Sequence, residues 1–186
     1  MRRGFKSWAD KKAVEYRKVL GKKYYDILSA RELADYLDID IITPREIPGL
    51  ENTDASNLLN HDHNSWSGIT VKNQAGSFII IVNPTHSGKR QESDLMHEIA
   101  HIICEHKMEK IQIRSDFPLP LRDYDHQQEE EAKWFGGCLQ IPRNALVYML
   151  YKGLDNTELS EHFGASLDMV RYRINITGVK KQFKEG

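Results

Sequence analysis

The chain has 186 residues, 40% of them hydrophobic and 28% charged, with a formal net charge of -1. That length supplies one well-buried core, or one core with a small appendage, and the charge balance excludes a strongly basic nucleic-acid binder. No apolar run approaches the roughly 20 residues that span a bilayer, and the basic start Met1–Trp8 leads into Ala9-Asp10-Lys11-Lys12 rather than into the apolar stretch of a signal peptide. The expected location is the cytoplasm, where Cys104 and Cys138 read as two buried free thiols rather than a disulfide.

In chain order, a first helix is expected over about Ser7 to Leu20, closed by Gly21. Ser29 opens a second. Glu32, three residues on, completes a capping box, and Leu33, Ala34 and Leu37 form the apolar stripe. Asp40-Ile41-Ile42 reads as a short strand, and Pro44, Pro48 and Gly49 punctuate a loop. Trp66–Val71 and Ser77–Val82 are β-rich runs on either side of Asn73-Gln74-Ala75-Gly76, which predicts a hairpin. A helix then runs from near Arg90 to about His106, and residues 107–125, with Pro118 and Pro120, read as irregular. Further helices are expected over Gln127–Gln140, over Asn144–Lys152 with Gly153 as its C-cap, and as a short pair within Thr157–Ile174 joined at Gly164-Ala165. Helix, small sheet, then helices is an α+β order.

The helix near the middle carries His97-Glu98-Ile99-Ala100-His101. Residues four apart lie one turn above each other, so both imidazoles can face one ion. Zinc takes such nitrogen ligands in a tetrahedral set, and Glu98, one step round the helix, is placed to take a proton from water that the metal activates. A solvated polar face would give the same pattern: Leu95, Ile99, Ile102 and Ile103 cluster on one side, with Asp94, His97, His101 and Glu105 roughly opposite.

A catalytic zinc with two His needs a third protein ligand. In Glu129-Glu130-Glu131-Ala132-Lys133-Trp134-Phe135-Gly136, the residues Glu129, Ala132, Lys133 and Gly136 share a helical face. Ala132 and Gly136 are small enough to let that face pack closely on the motif helix and bring Glu129 to the metal. Composition alone allows a solvated charge cluster equally well.

Together these residues resemble the ImmA/IrrE metallo-endopeptidases. The strand ending Ile80-Ile81-Val82-Asn83, the His-Glu-x-x-His helix, and a Glu-rich helix ending Leu139-Gln140-Ile141-Pro142 follow that family's layout over roughly Leu20 to Pro142. The resemblance implies a zincin-like helical core packed with a small, mainly antiparallel sheet. It implies a metallopeptidase domain over 1–152 and a C-terminal helix-pair extension over 153–186. It implies a Zn2+ cofactor, and it makes Glu129, thirteen residues before Pro142, the third ligand, with Glu131 as the fallback. Family members are bacterial, often encoded on phages or mobile elements beside a repressor gene, so the implied substrate is a regulatory protein such as a transcriptional repressor. An edge strand aligns an extended substrate in related zinc peptidases, and Ser77–Val82 is the candidate here. Three positions depart from the pattern: Ser93-Asp94-Leu95-Met96 ahead of the first His, Lys133 where Asn or Asp is usual, and Gln140 where an apolar residue is usual. A lysine cannot accept a hydrogen bond from a ligand His, so Asp94, one turn before His97, is the expected second-shell partner. Tyr148 and His126 are candidates on chemistry alone for stabilising an oxyanion.

Glu158 to Arg173 has the pattern of a helix-turn-helix, with Leu159 and Phe163 as core, Gly164 as the turn and Ser166 as a cap. In a groove-reading version Leu167, Asp168, Arg171 and Tyr172 would face DNA, but basic residues are sparse until Lys180, Lys181 and Lys184, which favours a packing role over DNA binding. The alternative function is a non-hydrolytic regulatory binding protein whose metal is structural, its fourth position closed by a thiol such as Cys104.

Overall fold

Helix α1, Phe5–Val19, buries Phe5, Ala9, Ala13 and Arg17, one residue per turn along a single stripe. The computed structural model to which it belongs describes residues 1–47, 49–60, 66–73, 75–107 and 125–180, without the side chains of Leu58 and Asn60. The expected turn residue Gln74, the loop residue Pro48, Lys181, Lys184 and all but the ends of the stretch read as irregular lie outside these residues.

Helix α2, Ala30–Tyr36, starts after Ser29 as expected, yet the capping box does not form. Glu32 pairs instead with Lys22 at 3.0 Å, and the Ala30 N–H donates to Glu92 of a later helix. A distant carboxylate thus satisfies one of the N–H groups that the helix start leaves open. Strand β1 is Asp40–Ile42, followed by a 3-10 turn over Pro44–Glu46. Helix α3, Asn52–Asn60, has no counterpart in the sequence expectations. Its Asn, Thr, Asp and Ser residues are weak helix formers, and burial of Ala55 and Leu59 holds it in place.

Strands β2, Gly68–Lys72, and β3, Phe78–Val82, form the expected hairpin. The turn between them is tied by Gly76 N–H to Asn73 O at 3.0 Å and by Ser77 N–H to the Asn73 side chain at 2.9 Å. Sheet order is β1-β3-β2: β2 is antiparallel to β3, and β1 is parallel to it, with Ile41 opposite Ile80. The sheet is therefore mixed and β3 is its centre. That corrects the assignment of Ser77–Val82 as the edge: an unbroken apolar run such as Phe78-Ile79-Ile80-Ile81-Val82 suits an interior strand, and β1 and β2 are the outer strands instead.

Helix α4, Gly88–Ile103, carries the histidine motif and packs against β2, β3, α2 and, most extensively, α5, His126–Gln140. Helices α6, Arg143–Tyr151, α7, Asn156–Phe163, and α8, Leu167–Thr177, complete the chain. One apolar cluster joins α1, α2, the sheet, α4 and α5, and a second, beginning at Ile141, joins α6, α7 and α8. Two buried guanidinium groups tie the clusters together. Arg17 donates to the carbonyls of Asp26 and Gln140 at 2.9 and 3.1 Å, and Arg173 donates to the Ile141 carbonyl at 2.9 Å and to Asp10 at 3.2 Å. On α7 and α8 the turn at Gly164, the Ser166 cap and the buried Leu159 and Phe163 all form as read from the sequence. With Arg173 turned inward and exposed Arg171 paired with Asp168, α8 commits its guanidinium groups to the protein itself. Among the described residues no helix is long and apolar enough to cross a membrane.

Candidate metal centre

The middle of α4 is buried on more than its apolar side. Glu98 is 4% exposed and His101 5%, alongside Leu95, Met96, Ile99 and Ala100. A solvated polar face would leave both exposed, and burying ionisable groups costs several kcal/mol each unless partners compensate. For His101 the partner comes from α5. Its first turn is fixed by Asp125, whose carboxylate accepts the Gln127 and Gln128 N–H groups at 2.9 and 3.2 Å, and it presents Glu129 to both motif histidines.

Close approach of α4 and α5 makes that presentation possible. A Cβ at Gly136 would lie 3.0 Å from the Met96 carbonyl oxygen and 3.1 Å from the His97 nitrogen, so only glycine leaves room for α4 to pass. Ala132 beside it is fully buried. The small-residue face read from the sequence is therefore where the helices meet.

His97 Nε2 lies 3.1 Å from His101 Nε2 and 3.1 Å from Glu129 Oε2, and His101 Nε2 lies 3.4 Å from Glu129 Oε1. Burial alone would raise the Glu129 carboxyl, but the hydrogen bonds and positive potential of His101 and His97 outweigh it and hold it far below the usual carboxylate range. One ligand atom from each of the three residues falls within 4.8 Å of the others. Neighbouring ligand atoms in a tetrahedral zinc site with bonds of about 2.0–2.1 Å stand about 3.3 Å apart, so this donor set fits such an ion in both chemistry and spacing. The site opens on a cleft of about 590 Å³ that His97, Glu129, Asp94, His126, Lys133 and Tyr172 help to line.

Glu98 packs against β2. The Thr70 hydroxyl donates to its Oε2 at 2.5 Å, and a Cβ at Gly68 would sit 3.1 Å from the Glu98 Cγ. Strand β2 thus holds the Glu98 side chain in one pose with a hydroxyl and makes room for it with a glycine. Sequence reading missed Thr70, because a threonine in a strand carries no signal of the helix it faces. Thr70→Val keeps the shape of the strand and deletes that donor. If Glu98 acts as a base, hydrolysis should slow by roughly tenfold, the worth of about 1–1.5 kcal/mol for one hydrogen bond, while bound metal stays unchanged by elemental analysis.

Asp94 does not reach His97 as expected. Its Oδ2 lies 2.9 Å from His86 Nδ1 and 3.8 Å from Arg90, whereas the hydrogen-bond partners given by His97 are Glu129 and His101. His86, just ahead of the helix, is nearer to the carboxylate than the motif residue one turn on. Glu131, the fallback ligand, faces away from the cluster and is bound by Arg2 at 2.8 Å and His106 at 3.4 Å. Tyr148 stacks on Tyr25 at 4.8 Å in an aromatic group on another face, so it is no candidate for the oxyanion, whereas His126 lines the cleft. Cys104 closes α4 near Arg2, Phe5 and Trp8, outside the His97–His101–Glu129 cluster. Burial pushes its thiol up to about 12. Cys138, also free, is pushed up to about 12 by its burial.

Two departures from the family pattern explain each other. Ser93 Oγ donates to Gln140 Oε1 at 3.0 Å, joining α4 to the end of α5, where Gln140 is fully buried. A polar residue on either helix alone would be costly to bury, and as a pair each supplies a partner for the other. Lys133 stands exposed at the cleft, its ammonium 5.2 Å from the centre of the Tyr172 ring.

No curated protein matches the chain. The family model for the IrrE N-terminal-like domain, a peptidase family, matches residues 34–175, from α2 into α8 and across the whole site. The chain therefore belongs to the IrrE N-terminal-like family of metallopeptidases.

Proposed function

We propose that the protein is a zinc-dependent endopeptidase that cuts a specific regulatory protein, a transcriptional repressor of the kind implied by the family resemblance. The observation that carries the reading is the convergence of His97, His101 and Glu129, with Glu98 buried alongside. Bound there, zinc would supply Lewis acidity towards a peptide carbonyl and an activated water. Glu98, held by Thr70, takes the proton from that water and passes it to the leaving amine. Of the two outer strands, β2 is the one that touches Glu98, so its edge is the backbone placed to pair with an extended substrate. The closed, thiol-capped alternative loses its ligand, because Cys104 stands apart from the cluster.

Elemental analysis of purified protein beside the His97→Ala variant tests the metal. The expected result is about one zinc per chain in the unaltered protein and near-complete loss in the variant, because a two-ligand remnant binds weakly. Incubation of the zinc-loaded protein with candidate repressors from the same genome, followed by intact-mass spectrometry, should then yield two fragments whose masses sum to the substrate plus one water. Absence of zinc uptake on titration would remove the metal reading. A zinc-loaded protein that leaves every repressor uncut would remove the substrate assignment.

A further inference from the structure

Behind the cluster, on the side of His101 away from the cleft, runs a second chain of polar groups that the proposed chemistry does not use. His101 Nδ1 lies 3.0 Å from His106 Nδ1. His106 Nε2 lies 3.4 Å from Glu131 Oε2. Glu131 in turn accepts from the Arg2 backbone N–H at 2.8 Å and from the Arg2 guanidinium at 2.8 to 3.2 Å. The His106 and Glu131 side chains are only 6% and 2% exposed. The helix end carries His106 there: Glu105, just past the Cys104 cap of α4, has φ +52°, and the His106 and Glu105 N–H groups donate back to the His101 and Ile102 carbonyls at 3.1 and 3.0 Å, the hydrogen-bond pair of a left-handed helix terminus.

We infer that His106 is a positioning residue for the metal centre: it accepts the Nδ1 proton of His101 and is itself oriented by Glu131 and Arg2. The inference rests on the metal reading above. A histidine that ligates through Nε2 must carry its proton on Nδ1, and a fixed acceptor there sets the tautomer and the ring plane. His106 then has its Nδ1 unprotonated and its Nε2–H directed at the Glu131 carboxylate. Asp94 was the carboxylate expected to play this part for His97. The structure instead offers a neutral acceptor to His101, with the carboxylate one step further out and Arg2, ahead of α1, at the end of the chain. A side chain far from the motif in sequence thereby helps to set how tightly the ion is held.

The test is zinc affinity of the full chain, measured by competition with a chelator of known strength, together with histidine nitrogen NMR of the zinc-loaded protein. His106→Ala should weaken zinc binding about 10- to 100-fold, the usual cost of losing an outer-shell partner. His106→Asn, whose side-chain oxygen can replace the Nδ1 acceptor, should recover most of that loss. Glu131→Gln should weaken binding by a smaller factor. The spectrum should show His101 protonated at Nδ1, and His106 protonated at Nε2 only. A His106→Ala dissociation constant within twofold of the unaltered protein overturns the inference and leaves the metal reading standing, as does a proton on His106 Nδ1. If His106→Ala fails to fold, the NMR tautomer and the Asn and Gln variants decide. Failure of the unaltered chain to bind zinc removes both readings at once.

Discussion

Glu98→Gln should lower the rate of peptide cleavage by about 10²- to 10⁴-fold, the usual worth of a positioned general base. The amide has nearly the volume of the carboxylate, and its carbonyl can still accept the Thr70 hydroxyl, so the contacts to β2 survive. What is lost is the ability to take a proton. His97, His101 and Glu129 are untouched, so bound zinc should be unchanged. Thermal stability should not fall, because a carboxylate 4% exposed is exchanged for a neutral group of nearly the same shape. Product formation at saturating zinc, followed by mass spectrometry, is the measurement. A rate within threefold of the unaltered protein would exclude Glu98 as the base and move attention to His126 in the cleft.

That combination of effects separates chemistry from assembly. His97→Ala removes a ligand and should abolish metal uptake and activity together, whereas Glu98→Gln leaves the metal and removes the reaction. Thr70→Val falls between them, with the base present but less firmly held. A protein that acted only through partner contacts would lose nothing in Glu98→Gln, so this one variant also distinguishes hydrolysis from a binding role.

The clustering of His97, His101 and Glu129 was legible in the sequence because helix geometry is local. His97 and His101 share a face at four-residue spacing, and the small residues Ala132 and Gly136 mark the face of α5 that can approach them. Local rules also gave the first helix, the hairpin and the α7–α8 turn. Long-range partner choice was less accessible. Ser29 and Glu32 satisfy every local rule for a capping box, yet Lys22 takes Glu32 and Glu92 takes the helix N–H. Asp94 sits at the right spacing to reach His97, yet His86 has it. In each case two side chains can satisfy one group, and the winner is set by packing between elements that no periodicity records. The outer position of β2 is of the same kind, since strand order is a property of the assembled sheet. Gln140 carried no interpretable signal until Ser93 was placed opposite it.

Gly136→Ala should be the most damaging single-methyl change in the site, although residue 136 is no ligand. The added carbon would meet the Met96 carbonyl oxygen at 3.0 Å, the His97 nitrogen at 3.1 Å and the Met96 carbonyl carbon at 3.1 Å. These are backbone atoms in the middle of a hydrogen-bonded helix, and unlike a side-chain tip they cannot rotate away. Relief therefore requires α4 and α5 to separate, and Gly136 is too well buried for the strain to escape to the surface. Overpacking of this kind costs about 1–3 kcal/mol, offset in part by the better helix propensity of alanine, roughly 1 kcal/mol. The separation acts directly on the site, because His97 is on one helix and Glu129 on the other, 3.1 Å apart. A shift of a few tenths of an ångström across that gap loosens the third ligand while leaving the two histidines, on a single helix, in register. The expected outcome is a lower melting temperature for the metal-free protein together with zinc affinity weakened about tenfold or more, as for other losses of support around a metal site. Addition of excess zinc should recover part of the stability, since the ion favours the folded state by mass action. Calorimetry with and without zinc reads both effects. If Gly136→Ala melts lower yet binds zinc as tightly as the unaltered protein, the packing of the two helices is not what sets the position of Glu129, and the Asp125 cap of α5 must do so.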